Sequence, residues 1–204
     1  MADLKKTVLD PLWDENPITF TLLGICSALA VTGNCIPAFT MACSLTVVVA
    51  LSNLIISLLR NVIPPKVEII IQLVVIAALV IIADQLLKAY MYEVSLKLSV
   101  FVGLIITNCI VLGRAKAFAM ANPPLPSFLD GLSNGIGYSI ILMFVATIRE
   151  ILGPGTWFGI NVLKGNIADY VPNGVMVLPP AAFFCIGIFI WIQRSLSPKL
   201  VKDD

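Results

Sequence analysis

The run ITFTLLGICSALAVTGNCIPAFTMACSLTVVVALSNLIISLL, Ile18 to Leu59, carries no Asp, Glu, Lys or Arg across 42 residues. A helix crosses the hydrocarbon core of a bilayer in about 20 apolar residues, so this stretch is long enough to cross twice. Four further runs, Ile69–Ala83, Leu98–Gly113, Gly131–Ile148 and Tyr170–Gln193, are likewise uncharged. The chain of 204 residues is 59% hydrophobic and 12% charged, where a soluble domain carries about 25% charged residues. The composition predicts an all-α, polytopic membrane protein. A single integral domain over residues 1–204 leaves no room for a separate soluble one.

Six transmembrane helices are expected, at about Ile18–Asn34, Pro37–Leu59, Val67–Leu87, Leu96–Leu112, Phe128–Ile151 and Val175–Ile192. Pro64-Pro65, Pro123-Pro124 with Pro126, and the Gly/Pro/Asn-rich stretch 153–174 separate them, as turn formers do. The first and fourth spans are the shortest. They carry Gly24 with Gly33 and Gly103 with Gly113, which opens either to a break at mid-depth. Orientation follows from Lys and Arg in the short loops. Lys5, Lys6, Arg60, Lys66, Arg114, Lys116, Arg194, Lys199 and Lys202 share one side, nine in all, against four on the other, Lys88, Lys97, Arg149 and Lys164. Both termini are therefore expected in the cytoplasm. The segment Met1–Asn16 is mixed in charge and lacks the apolar region of a secretory signal.

An internal repeat runs through this plan. Cys26 recurs as Cys109 at an offset of 83, Ala38-Phe39-Thr40-Met41 as Ala117-Phe118-Ala119-Met120 at 79, and Leu51-Ser52-Asn53 as Leu132-Ser133-Asn134 at 81. Repeat 1 covers about residues 18–87 and repeat 2 about 96–192. Three spans per unit is an odd number, so the second copy enters the membrane upside down. Inverted three-helix repeats place a shared site at the midplane, where discontinuous helices meet. Cys26 and Cys109 are then pseudo-symmetry mates that approach one point from opposite sides.

A formal net charge of +1 argues against nucleic acid as a partner. Histidine is absent, which removes imidazole as proton carrier or ligand and leaves thiolate to hold any soft metal. Five cysteines, spread through apolar segments, do not read as a disulfide framework. A free cysteine in an apolar helix is ordinarily a small buried hydrophobe, and Cys35, Cys43 and Cys185 are read that way. For Cys26 and Cys109 the repeat points instead to half of a four-thiolate metal site. Iron–sulfur clusters usually take four cysteines, so the other two would come from a second polypeptide or a second copy of this one. Small and hydrogen-bonding neighbours, Gly24 and Ser27 beside Cys26, Thr107 and Asn108 beside Cys109, fit that role. Backbone N–H groups at broken helix ends could support the sulfurs.

Asp84 and Asp130 are the candidates for a cation pathway, since a carboxylate within a span is costly and Na⁺ prefers oxygen ligands. Each also has a plainer reading. Asp84 suits an i,i+4 pair with Lys88, and Asp130 suits the start of a helix. Glu150 beside Arg149 reads as an interfacial anchor. Asn53 and Asn134 read as bonds between helices holding the halves together. Gly131, Gly135 and Gly137 follow no strand and read as close-packing glycines rather than a nucleotide loop. Trp13, Trp157 and Trp191 suit an aromatic belt.

Several of these motifs resemble a known family. LGICSALAVT (Leu23–Thr32) and SVFVGLIITNCIVLGRA (Ser99–Ala115), with Ala117–Met120, Asp84–Tyr90 and Pro172-Asn173-Gly174, are similar to the membrane subunits of the Na⁺-translocating NADH:quinone oxidoreductase, in the D position. The Rnf electron-transport complex has homologous subunits. The similarity runs from about Asn16 to Ile192. It implies a complex of six subunits, A to F, in a bacterial inner membrane. There this chain and a homologous E-type partner would pack in opposite orientation. Each would give two cysteines, here Cys26 and Cys109, to a shared iron or 2Fe–2S centre. Electrons from NADH would pass through FAD and a 2Fe–2S centre on the F-type component, then the intramembrane iron, then flavins on the C-type and B-type components, to ubiquinone, with Na⁺ exported. NADH, flavin and quinone sites fall on other subunits, and no catalytic residue falls on this chain. The alternatives are the Rnf counterpart, passing electrons from ferredoxin to NAD⁺, and a stand-alone secondary transporter built from inverted repeats.

Overall fold

The computed structural model describes residues 18, 22–64, 66–90, 103–161 and 174–196. The elements run in the order α1 Ile25–Val31, α2 Cys35–Leu59, α3 Glu68–Tyr90, α4 Cys109–Arg114, α5 Pro124–Leu152, strands β1 Thr156–Trp157 and β2 Ile160–Asn161, α6 Gly174–Val177 and α7 Pro180–Leu196. Of these, α2, α3 and α5 are long and apolar enough to cross a membrane. The strands pair antiparallel as a two-residue ribbon inside the stretch read from sequence as a breaker.

The spine is the pair α2 and α5, packed along their length. Two glycines of α5 allow the approach. A Cβ at Gly135 would lie 2.8 Å from the Thr46 Cα, and one at Gly131 would lie 2.9 Å from the Ala50 Cα. With no hydrophobic effect between helices in lipid, such close backbone contact and the dispersion it brings drive association. Leu45, Val48 and Val49 of α2 and Leu142 and Val145 of α5 fill the shared core. The opposite faces stay apolar and point outward, as Phe39 and Val47 of α2 and Ile140 and Phe144 of α5 do.

Three expected spans are interrupted. α1 starts only at Ile25, after Leu22 and Gly24 in left-handed backbone, at φ of 56° and 87°. The fourth span breaks at Thr107-Asn108, between a helical turn at 103–106 and α4. α4 then widens into a π-helical turn, Ala115–Ala119. Both interruptions fall in the short, glycine-bearing spans that the sequence singled out. The sixth span is a correction: its long helix begins at Pro180 rather than Val175. Pro179 and Pro180 have no N–H to continue the first turn. The start of the fourth span, Trp13 and both termini lie outside the described residues.

Arg149 and Glu150, read as an interfacial anchor, are both buried within the chain at the end of α5. Arg149 donates to Thr32 Oγ1 at 2.5 Å, just past α1, and to the carbonyls of Met176, Val177 and Leu178 around the sixth-span break. Glu150 accepts from the Cys35 N–H at 2.6 Å, where α2 starts, and from the Gly159 N–H and Thr156 hydroxyl of the ribbon. Two adjacent charges at the end of α5 therefore tie α1, α2, the ribbon and α6 together. An Arg–Glu pair closing an apolar run reads the same in sequence whether water or carbonyls face it.

Gly135→Leu should force α2 and α5 apart. Overpacking costs about 1–3 kcal/mol, read as a lower melting temperature and faster proteolysis in detergent. Gly187→Ala, where a Cβ meets nothing within 4 Å, should leave both unchanged.

Candidate metal centre

The first two breaks face each other. Cys26 is the second residue of α1 and Cys109 the first of α4, and their sulfurs lie 4.0 Å apart. The Gly24 N–H donates to Cys109 Sγ at 2.8 Å. Left-handed backbone favours glycine, and a Cβ on Gly24 would also sit 2.8 Å from Cε2 of Tyr138. Conformation and space thus both require glycine at the residue that aims this amide.

Beneath the thiols lies a closed polar network. Ser27 Oγ donates to the Gly24 carbonyl at 2.9 Å and accepts from the Tyr138 hydroxyl at 2.7 Å and from Asn108 Nδ2 at 3.0 Å. A serine hydroxyl has one donor and two acceptor sites, and all three are used. Asn108 Oδ1 accepts from the Ile110 N–H at 3.3 Å and so caps α4. Ser27, Asn108 and Tyr138 are buried.

Cys26 is exposed on the chain's surface and Cys109 is half-buried; both are free thiols. Their 4.0 Å separation is about twice a disulfide bond of about 2.05 Å. It is close to the ~3.8 Å edge of a tetrahedral thiolate shell with metal–sulfur bonds of about 2.3 Å. Among the described residues no third Cys, Asp or Glu joins them. The donor set therefore fits half of a four-thiolate shell, open on the Cys26 side.

The two candidate acids are elsewhere and are paired. Asp84 bonds Lys88 at 2.5 Å. Asp130, buried at 1% exposure, holds Arg114 through both carboxylate oxygens, Nε to Oδ2 at 3.0 Å, and takes Asn134 Nδ2 at 3.0 Å. Asn134 thus bonds within its own helix rather than across to another. The side-chain amide of Asn53 has no hydrogen-bond partner among the described residues. It packs where Gly131 brings α5 close, its Nδ2 lying 3.1 Å from the position of a Gly131 Cβ.

Residues 4–190 match the family described as "Rnf-Nqr subunit, membrane protein". The chain belongs to the Rnf–Nqr family. Relatives of full length agree. The D-type subunit of the Na⁺-translocating NADH-quinone reductase of Aeromonas salmonicida (strain A449) is 59% identical over 98% of this chain and 97% of its own. The protein of the same name from Tolumonas auensis is 57% identical over 97% and 93%. That from Proteus mirabilis (strain HI4320) is 53% identical over the whole of both.

In this Rnf–Nqr chain the structure brings Cys26 and Cys109 together and seats Ser27 and Asn108, their polar neighbours in sequence, in the network below. Tyr138 and Arg114 are the residues that sequence reasoning passed over. Both carry a signal. Tyr138 sits inside the uncharged run Gly131–Ile148, away from the interfaces where tyrosine is enriched. Arg114 closes one uncharged run and Asp130 immediately precedes another, and opposite charges inside a membrane protein pair.

Arg114→Met leaves the buried Asp130 carboxylate without its cation. Breaking a buried pair this way costs about 3–5 kcal/mol, so the melting temperature and membrane yield should fall sharply. Arg114→Met with Asp130→Leu should recover most of the loss. A double variant as unstable as the sum of the two singles would contradict the pairing.

Proposed function

We propose that this chain is a membrane subunit of a sodium-pumping NADH:quinone reductase, and that Cys26 and Cys109 hold one half of an intramembrane iron or 2Fe–2S centre. A homologous E-type partner gives the other two thiolates. The observation that carries this reading is the thiol pair at two facing helix breaks, 4.0 Å apart and open on one side. The names of the full-length relatives favour the Na⁺-translocating enzyme over the Rnf complex. Iron bound there supplies a one-electron relay between carriers on neighbouring subunits.

The chain's own residues prepare that site. The Gly24 N–H favours negative charge on Cys109 Sγ. The neighbours of Cys109 in sequence, Ile105, Ile110 and Val111, are buried in the apolar core. NADH, flavins and quinone bind other subunits of a six-subunit complex in the inner membrane. The two broken segments carry the repeat mates Cys26 and Cys109. That favours six crossings as inverted repeats at about residues 18–87 and 96–192, and the Lys and Arg count of the loops favours cytoplasmic termini. Lys88 and Arg114 already neutralise Asp84 and Asp130, which favours ion-pair roles for both acids over a passing Na⁺.

Iron and acid-labile sulfide in the purified whole complex test the reading. Cys109→Ser, and Cys26→Ser with Cys109→Ser, should remove the intramembrane iron. NADH-driven quinone reduction and Na⁺ uptake into vesicles should then fall at least tenfold. Unchanged metal content in the double variant would overturn the site, and full Na⁺ transport by the isolated variant chain would favour a stand-alone transporter.

A further inference from the structure

We infer that Tyr138 and Ser27 are positioning residues for the thiol pair: through one shared hydrogen bond they hold the Gly24 amide on Cys109 Sγ and so set the reduction potential of the centre formed there. The inference rests on the proposed iron site.

Gly24 is gripped from two directions. The Tyr138 ring stands so close to its Cα that no Cβ would fit, and Ser27 Oγ donates to its carbonyl at 2.9 Å. The remaining amide N–H points at Cys109 Sγ, 2.8 Å away. The Tyr138 hydroxyl, 2.7 Å from Ser27 Oγ, fixes the serine that fixes the carbonyl. Because the serine proton goes to Gly24, the tyrosine must donate. Asn108 bonds the same Ser27 oxygen at 3.0 Å, so α4 and its Cys109 are tied to the same point. Tyr138 belongs to α5, half of the α2–α5 spine, so the reference for the whole arrangement is the most extensively packed helix pair among the described residues.

Hydrogen bonds to ligand sulfur are one of the main settings of an iron–sulfur potential. A donor stabilises the reduced, more negative form and raises the potential. Without the tyrosine hydroxyl, Ser27 loses one of three partners. The ring and the Ser27 bond to the Gly24 carbonyl remain, but the serine that makes that bond loses its anchor to α5, so the amide is held less tightly on the sulfur. Packing alone does not call for this hydroxyl, since phenylalanine would fill the same space.

The test is Tyr138→Phe in the whole complex, with Ser27→Ala and the double variant beside it, read by iron content and by redox titration of the centre. Iron should be retained. The reduced-to-oxidised ratio at a fixed ambient potential should fall about threefold in Tyr138→Phe, which is ~28 mV at 59 mV per tenfold for one electron. The double variant should shift no further than Ser27→Ala alone, because both changes break the same bond. Iron retained with an unshifted potential in both single variants would overturn the inference and leave the cysteine site standing.

A second readout needs no iron. In metal-depleted complex, diamide takes two electrons and two protons from Cys26 and Cys109 as their S–S bond forms. The sulfurs must close from 4.0 Å to about 2.05 Å, which the intact network resists. Tyr138→Phe should close them several-fold faster, and an equal rate would count against the inference. Iron absent from the wild-type complex would overturn the proposed function instead, and the diamide rates would still decide the role of Tyr138.

Discussion

A backbone N–H or C=O left without a partner in hydrocarbon costs several kcal/mol, and a helix broken inside a span exposes several at once. That constraint explains the polar residues around Cys26 and Cys109. The Gly24 carbonyl accepts from Ser27 and from the Ala28 N–H. The Gly24 N–H, which has no helical acceptor, goes to sulfur. Asn108 caps α4 with its own carbonyl oxygen. The thiol is therefore part of the hydrogen-bond inventory of the break, and the break is what brings a backbone donor to the thiol.

The same logic orders the remaining polar groups. Charge occurs in the described core where backbone or an opposite charge needs it. Arg149 serves the carbonyls of α6, Glu150 the first amide of α2, and Asp130 the guanidinium of Arg114. Each of these acts toward an end of the α2–α5 spine, while the middle is closed by Gly135, aliphatic side chains and the uncharged Thr46–Ser139 contact. Ion pairs in a low-dielectric interior add little net stability, because desolvation offsets attraction. What these contacts do is join segments far apart in sequence: Arg149 links the end of α5 to Thr32 and to residues 176–178, Glu150 links it to Cys35 and the ribbon, and Asp130 links α5 to α4.

Much of this was legible in the residues and some was not. Charge-free runs announced the long helices, since α2 carries no charge at all and α3 and α5 each hold an uncharged stretch of at least 15 residues between their charged ends. Gly24 and the recurrence of Cys26 as Cys109 announced the meeting of two broken segments. The plainer readings of Asp84 and of Cys35 match what the structure holds, because an i,i+4 spacing and an isolated cysteine are local properties. The failures were non-local. Pairing of Arg114 with Asp130, and burial of Arg149 with Glu150, depend on which segment lies opposite, and a single uncharged run does not say. Asn53 and Asn134 looked like equivalent bridges because they occupy equivalent repeat positions. One lies beside a carboxylate four residues away and the other against a glycine backbone, so matching sequence brought unlike surroundings.

On the proposed reading, dividing the ligands between two polypeptides has a physical consequence for assembly. Two thiolates alone at an apolar surface would carry charge with too little to offset it, whereas a metal shared among four spreads that charge over both partners. Cys26 lies on the exposed side of the pair, so the open half-shell and the surface a partner must cover are the same place. Metal loading and association of the two proteins are then coupled equilibria: metal held by both stabilises their interface by the mass-action relation that governs any ligand bound to the assembled state alone. A single chain would have little hold on iron, and a docked pair without iron would meet across two facing dithiols. The rigid seat under Cys109, built from α5 through Tyr138 and Ser27, matters most at that moment, because it presents half the coordination geometry before the other half arrives.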